Sequence, residues 1–133
     1  MITKDNNLKV MELFFKFPNR TFHIRELARL TGLSSTGIIK IVNRLKEEKL
    51  LISKKTKIIE EIRPNYEGKF TLMKKLYNIL SLYESGLIAF LNGFYELPTG
   101  IVLFGSYSSG TDTEKSDIDI AIIGKNKEIL DLS

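Results

Sequence analysis

The chain has 133 residues, of which 43% are hydrophobic and 27% are charged, and it contains no cysteine. This length fits one domain or two very small ones, and the composition is that of a soluble globular protein. The lack of cysteine excludes disulfides and thiolate zinc sites. The N-terminus lacks the apolar core of a signal peptide and no apolar run could span a bilayer, so we expect a cytoplasmic protein without a membrane partner.

The net charge of +4 is unevenly distributed along the chain. Residues 1–63 carry fourteen Lys or Arg against seven Asp or Glu, whereas residues 99–133 carry three basic and six acidic residues. The stretch between them is balanced. A basic front and an acidic back are consistent with a nucleic-acid module joined to a metal site.

The first 63 residues predict three helices followed by a hairpin. Apolar residues at helical spacing predict helices over 7–17 and 24–31, the second capped by His23 and closed by Gly32, and a third helix whose N-cap is Ser34 or Ser35. Strands are expected over 50–55 and 58–63, around a lysine-rich turn. This order is that of a winged helix-turn-helix. The apolar stripe of the third helix consists of Ile38, Ile41, Val42 and Leu45.

The segment IRELARLTGLSSTGIIKIVNRLKEEKLL resembles the winged-helix DNA-binding domains of small prokaryotic regulators. The resemblance implies that double-stranded DNA is a partner, with one helix face in the major groove and the hairpin tip on phosphates. Basic residues on one face would also supply salt-dependent affinity. Two alternatives stay open, because such charges can merely solvate a helix and some winged helices bind proteins. The implied groove residues are Ser35, Thr36, Lys40, Asn43 and Arg44, and the implied phosphate contacts are Lys54, Lys55 and Lys57.

Residues 64–98 predict an apolar helical connector. Apolar side chains recur every three or four residues, and Gly86 is expected to divide the run into helices of about 15 and 10 residues. The neighbouring segments are too small to cover all of these side chains, so we predict a self-association surface and a homodimer. The turn over 97–100 is the expected domain boundary. The apolar positions are Phe70, Met73, Leu76, Tyr77, Leu80, Tyr83, Leu87, Phe90, Leu91 and Phe94.

A turn of small residues and two carboxylates follow this connector. An apolar run ends in Gly105-Ser106, and a second strand then carries Asp117 and Asp119. Because side chains alternate along a strand, both carboxylates lie on one face, where they suit a hard cation such as Mg²⁺. Gly105 permits a close backbone approach to a phosphate, and the Ser106 hydroxyl can hydrogen-bond it. The pattern predicts a site for Mg²⁺ and a nucleoside triphosphate.

GSYSSG followed by SDIDI resembles the signature of the polymerase-beta-type nucleotidyltransferase superfamily, in particular its minimal branch. The resemblance covers residues 99–124. It implies that Gly105 and Ser106 bind a triphosphate such as ATP, that Asp117 and Asp119 are the catalytic metal ligands, and that a third carboxylate on a later strand helps to activate the acceptor. Asp131 follows Asp119 by only twelve residues, which we expect to be too close for a separate strand. We therefore expect the third carboxylate to be missing, the domain to be C-terminally incomplete and a helix to begin at Glu128.

The predicted fold class is α+β, with a winged helix-turn-helix over 1–63, a helical connector over 64–98 and the start of a nucleotidyltransferase α/β sheet over 99–133. Two functions stay open. The first is Mg²⁺-dependent transfer of a nucleotide from a triphosphate to an unknown hydroxyl acceptor, in a site completed by residues outside this chain. The second is a non-catalytic winged-helix transcriptional regulator with a degenerate nucleotidyltransferase-like tail.

Overall fold

The computed structural model describes residues 5–95, 99–124 and 129–132, the last of these as backbone only. The chain divides into two compact units, unit 1 over Met1–Phe70 and unit 2 over Thr71–Ser133. The predicted connector over 64–98 has residues in both units, and part of the predicted boundary turn lies outside the described residues. Nowhere in the described ranges is a helix long and apolar enough to cross a membrane.

Unit 1 contains three helices and a two-stranded antiparallel hairpin. Phe22, between the first two helices, exchanges backbone hydrogen bonds of 2.9 and 2.8 Å with Ile62 of the hairpin. This bridge adds a short extended segment to the edge of the hairpin. The elements are α1 (Asn6–Lys16), α2 (Ile24–Thr31), α3 (Ser35–Glu47), β1 (Leu51–Lys55) and β2 (Glu60–Pro64).

The core of unit 1 is formed by apolar side chains from every one of these elements. The rings of Phe14 and Phe22 pack edge to face with their centroids 5.1 Å apart. The predicted stripe of α3 is buried, as expected from its helical spacing. Burying one such side chain contributes about 1.5–3 kcal/mol, so this core stabilises the arrangement of the three helices and the hairpin. Its least exposed members are Val10, Phe14, Phe22, Leu27, Ile38, Val42, Leu51 and Ile62.

Local signals set the helix ends in unit 1. Ser34 caps α3, because its hydroxyl accepts a 3.0 Å hydrogen bond from the Gly37 N–H. Gly32 ends α2 in the left-handed conformation, with φ of 76°. His23 is the N-cap residue of α2, and its backbone N–H donates to Oε1 of Glu26 at 3.1 Å. The predicted bounds of α2 and the predicted cap of α3 are therefore confirmed.

The hairpin differs slightly from the prediction. β2 begins at Glu60 and not at residue 58. The Thr56 hydroxyl accepts hydrogen bonds from the backbone N–H groups of Ile58 and Ile59, at 3.4 and 3.1 Å, and so holds residues 56–59 in a loop. The strand is shortened because these two residues belong to the turn.

Unit 2 combines helices with a small antiparallel sheet. Its strands have the order β3-β4-β5. Gly86, with φ of 83°, separates α4 from α5 where the sequence predicted a division. The elements are α4 (Phe70–Glu84, which begins at the last residue of unit 1), α5 (Leu87–Phe94), β3 (Gly100–Phe104), α6 (Gly105–Ser109), β4 (Ile118–Ile123) and β5 (Ile129–Leu132).

The two faces of this sheet have different surroundings. On one face Ile120 and Ile122 are buried against Leu91 of α5, with Ile101 and Leu103 packed around them. Because side chains alternate, the opposite face of β3 and β4 carries a different set, which we call the open face. The open face consists of Val102, Phe104, Asp119, Ala121 and Ile123, and its larger apolar members are partly exposed.

α4 buries a partly polar face. Phe70, Lys74, Asn78 and Leu82 follow one another at intervals of four residues, and each is at most 6% exposed. Most of the predicted apolar positions of α4 and α5 are instead exposed. The apolar surface expected from the sequence is therefore present, whereas its self-association stays a prediction. Its exposed members include Leu72, Met73, Leu76, Leu80, Tyr83, Phe90 and Phe94.

Candidate functional site

The end of β3 lies against the first acidic residue of β4. Phe104 pairs with Asp119 in the sheet register, and Gly105 follows it with φ of 78°. A Cβ atom on Gly105 would collide with the carboxylate of Asp119. Position 105 therefore requires glycine both for its left-handed backbone and for its lack of a side chain. The fold brings the predicted small-residue turn into contact with one of the predicted metal ligands.

α6 forms the small-residue turn itself. The hydroxyl of Ser108 donates to the Gly105 carbonyl at 2.8 Å, and that of Ser109 donates to the Ser106 carbonyl at 3.1 Å. These two hydroxyls are therefore engaged within α6. The hydroxyl of Ser106 makes no hydrogen bond to any part of the chain that the structure describes. Of the three serines, Ser106 is the one whose hydroxyl can serve a bound group.

Asp117 directly precedes β4, and Asp119 is the second residue of this strand. Asp117 is exposed and Asp119 is half-buried. Within the described ranges neither carboxylate accepts a hydrogen bond or forms an ion pair. Mg²⁺ is typically held by one or two carboxylates, with water and phosphate oxygens completing its coordination. The two acids fit that requirement, although no group of three or more metal-ligating residues occurs among the described side chains.

β5 corrects the expectations for the end of the chain. Residues 129–132 form a strand antiparallel to β4, so twelve residues are sufficient for a separate strand and no helix occupies this segment. Glu128, where that helix was expected to begin, lies outside the described residues. Asp131 is opposite Asp119 in the register, and opposed positions of an antiparallel pair belong to the same face of a sheet. The expectation that no separate strand could follow so closely is therefore wrong, and an acidic residue occupies the position on that strand opposite Asp119.

A buried polar cluster joins α4 to α6 and to the loop that follows it. Nζ of Lys74 lies 2.8 Å from Oδ1 of Asp112, and Nδ2 of Asn78 donates to the same oxygen at 2.7 Å. Asn78 also makes two hydrogen bonds with Tyr107, both of 3.0 Å. Its Nδ2 donates to the backbone carbonyl of Tyr107, and its backbone carbonyl accepts from the Tyr107 hydroxyl. We call Lys74, Asn78, Tyr107 and Asp112 the polar cluster.

Sequence reasoning missed the polar cluster. Burial, with the negative charge of Asp112, raises the pKa of the Tyr107 hydroxyl, which therefore stays protonated as a donor. The signal that could have revealed the cluster is the placement of Lys74 and Asn78 four residues apart, in line with Phe70 and Leu82 on one side of the helix. Such residues are rarely buried without partners.

The eight residues expected to contact DNA all lie on the surface of unit 1. The five on α3 are exposed on the side opposite its buried stripe, and the three lysines are exposed on the hairpin. Nη1 of Arg44 lies 3.4 Å from Oδ1 of Asn7. Lys46, also on α3, is bound at 3.3 Å to Glu60 and is held against the hairpin. The predicted residues thus lie on the exposed sides of α3 and of the hairpin in unit 1.

The small-residue turn, the acid pair and β5 all lie within one stretch of the chain. Residues 86–132 match the family model of the nucleotidyltransferase domain. This match supports the resemblance to the nucleotidyltransferase superfamily that the two motifs indicated. Comparisons with curated proteins and with solved structures gave no match. The segment that matches this model begins at residue 86, so it does not include unit 1 or the α4 members of the polar cluster.

Proposed function

We propose that this protein transfers a nucleotide from a nucleoside triphosphate, ATP among the candidates, to a hydroxyl group. The contact between Gly105 and the Asp119 carboxylate carries the proposal, because a turn suited to phosphate and a pair of acids suited to Mg²⁺ are adjacent there. The nucleotidyltransferase match over residues 86–132 supports the same class of reaction.

Each site residue has a distinct role in this proposal. The backbone at Gly105 and the hydroxyl of Ser106 hold the triphosphate, while Asp117 and Asp119 bind Mg²⁺. When bound, the metal ion neutralises charge that develops on the triphosphate and favours in-line attack. The two carboxylates are suited to this role because no described residue competes for them.

The proposed reaction forms one bond and breaks one. The acceptor oxygen forms a bond to the α-phosphorus, the bond from that phosphorus to the bridging oxygen of the β-phosphate breaks, and pyrophosphate leaves. The proton of the acceptor hydroxyl must pass to a base. We assign this role to Asp131, because its position on β5 is opposite that of Asp119 on β4.

We further infer that unit 1 is a winged helix-turn-helix that binds double-stranded DNA. The order of three helices and a hairpin, together with the bridge from Phe22 to the hairpin, supports this assignment. The exposed basic residues of α3 and the hairpin supply the charge for phosphate contacts. DNA binding would give the transferase a location or a regulatory input.

Nucleotide transfer can be tested with Mg²⁺ and α-labelled nucleoside triphosphates, with a cell lysate as the acceptor source. We expect the wild-type protein to transfer label and the Asp117→Asn/Asp119→Asn variant to transfer none. Glu114→Gln is the matched control, because it neutralises an exposed acid in the same loop and should leave transfer unchanged. Addition of a chelator should have the same effect as the double variant.

The exposed basic surface of unit 1 also supports the second candidate, a regulator that binds DNA without catalysis. The two candidates predict different results in the same assay. If no triphosphate gives transfer but the protein binds DNA in a salt-dependent manner, the regulator is correct and the transferase proposal is wrong.

A further inference from the structure

The polar cluster is unusual because it buries an ion pair in a small unit. Lys74 is 1% exposed and Asp112 is 8% exposed. Removing two charges from water costs several kcal/mol each, and replacing such a pair by well-packed apolar residues is often neutral or stabilising. A buried ion pair is therefore weak support for stability, and the geometry that it imposes is the more informative property.

The cluster fixes the turn between the two halves of the proposed site. Asp112 lies three residues after α6 ends at Ser109 and five residues before Asp117. Tyr107 lies in the middle of α6, and both its carbonyl and its hydroxyl are bound to Asn78. One turn of α4 therefore contacts both elements: Asn78 is bound to Tyr107 of α6, and Lys74 and Asn78 are bound to Asp112 in the loop that leads to the acid pair.

Close packing along the same side of α4 reinforces these bonds. A Cβ atom on Gly110 would collide with the backbone carbonyl of Thr71 and would lie 3.1 Å from the backbone nitrogen of Lys75. The end of α6 thus rests directly on the backbone of α4. Neither Lys74 nor Asn78 belongs to the segment that matches the nucleotidyltransferase model.

We propose that Lys74 and Asn78 of α4 are positioning residues for the nucleotide, which hold α6 and the Asp112 loop so that the Gly105–Ser106 backbone and the acid pair address one triphosphate. This inference rests on the proposed function. The two residues act through Tyr107 and Asp112 and touch no ligand themselves. Misplacing a binding group by about 1 Å can cost on the order of 100-fold in rate, so small shifts of α6 are sufficient to impair the site.

The test compares binding with stability in the full chain. Lys74→Met leaves Asp112 buried without its cationic partner, and it should lower both the melting temperature and the affinity for Mg²⁺–nucleoside triphosphates. Lys74→Met/Asp112→Leu removes both charges and should recover the melting temperature. We expect the double variant still to bind each of the four Mg²⁺–ribonucleoside triphosphates on the order of tenfold or more weakly than wild type, at a temperature where both are fully folded.

Two further variants keep the test decisive. Tyr107→Phe removes one hydroxyl and serves if the double variant does not fold, with weaker nucleotide binding expected at a nearly unchanged melting temperature. Lys75→Met, which replaces an exposed lysine of the same helix, should change neither quantity.

The outcomes separate this inference from the proposed function. If wild type binds nucleotide and the folded variants bind it equally well, the cluster is only structural and the inference is wrong. If wild type binds no nucleoside triphosphate, the proposed function fails and this inference fails with it. Recovered stability without recovered affinity supports both.

Discussion

Asp131 of β5 is paired with Asp119 of β4 across the sheet. The open face therefore contains acidic positions on two adjacent strands, beside the turn that begins at Gly105. In the proposed reaction the two residues have different tasks, since Asp119 holds the metal ion and Asp131 accepts the proton of the acceptor hydroxyl.

Replacement of Asp131 by Asn should therefore slow nucleotide transfer and spare nucleotide binding. Loss of a general base typically costs about 10²–10⁴-fold in rate. Single-turnover transfer and equilibrium binding of the Mg²⁺–triphosphate would measure the two effects separately. An unchanged rate would show that the base lies elsewhere, whereas loss of binding would place Asp131 among the metal ligands.

The Gly105→Ala substitution should abolish nucleotide binding. The new methyl group would be forced into the Asp119 carboxylate and the left-handed backbone would be strained. Gly32→Ala is the matched control, because Gly32 has nearly the same φ of 76° but open space around its Cβ position. It should cost only about 1–2 kcal/mol of stability, measured by chemical denaturation, and leave binding intact. Retained nucleotide affinity in Gly105→Ala would argue against a site at this turn.

DNA affinity should depend on salt concentration through the hairpin lysines. Each phosphate contact contributes about 0.9 to the slope of log affinity against log salt concentration, so replacing Lys54, Lys55 and Lys57 by Ala should reduce the slope by roughly 2.7. Lys69→Ala changes an exposed lysine outside the hairpin and α3, and it should have little effect. Fluorescence anisotropy with duplex DNA at several salt concentrations measures the slope. An equal slope for the wild type and the triple variant would exclude the hairpin from the interface.

Unit 1 should lose stability in acid through Glu26 and Glu60. Burial tends to raise the pKa of Glu26, but the His23 backbone N–H and the Arg20 guanidinium, 2.7 Å away, outweigh it and lower the pKa below its ordinary value of 4.5. Burial likewise tends to raise the pKa of Glu60, but hydrogen bonds with the side chains of Ser53 and Lys46 outweigh this effect and lower the pKa.

Both folded pKa values lie below the unfolded value, so the stabilisation is present above about pH 4.5 and is lost as the pH falls through the folded values. We expect the melting temperature to drop across this range, and to drop less in the Glu26→Gln/Glu60→Gln variant. Thermal unfolding followed by circular dichroism would measure it. Equal acid sensitivity of the two proteins would assign the effect to other carboxylates.

Self-association should depend on the exposed apolar surface of α4. Leu76 and Tyr83 are 52% and 65% exposed and lie two turns apart on this helix. Placing Glu at both positions should shift a dimer to monomer in sedimentation velocity measurements. Leu30→Glu changes a similarly exposed leucine of α2 and should not. A wild-type protein that is monomeric at every accessible concentration would contradict the predicted homodimer.

The sequence predicted most of what depends on local interactions. The bounds of α2, the Ser34 cap and the buried stripe of α3 follow from spacing and capping within a few residues. The buried face of α4 could not be predicted in this way. Its apolar stripe is exposed, and its buried residues include Lys74 and Asn78. Their partners lie 29 to 38 residues away in the sequence, so local spacing gives no sign of these contacts.

The site was predictable in its residue types but not in its arrangement. The motifs identified Gly105, Ser106, Asp117 and Asp119, whereas the contact between Gly105 and Asp119 depends on the register of β3 and β4. Asp131 was misjudged because the number of residues between two acids does not fix how a hairpin pairs. Pairing is set by the whole sheet.

The open face has a consequence for the strength of the proposed site. Apart from its acids, it consists of Val102, Phe104, Ala121 and Ile123, which cannot hydrogen-bond water through their side chains. A flat ring system that covered these residues would displace water from the neighbourhood of Asp119. The local dielectric constant would then fall, and attraction between the carboxylate and a cation would strengthen. The apolar surface beside the acids would thus make metal affinity depend on whether the nucleobase of the triphosphate is stacked on it.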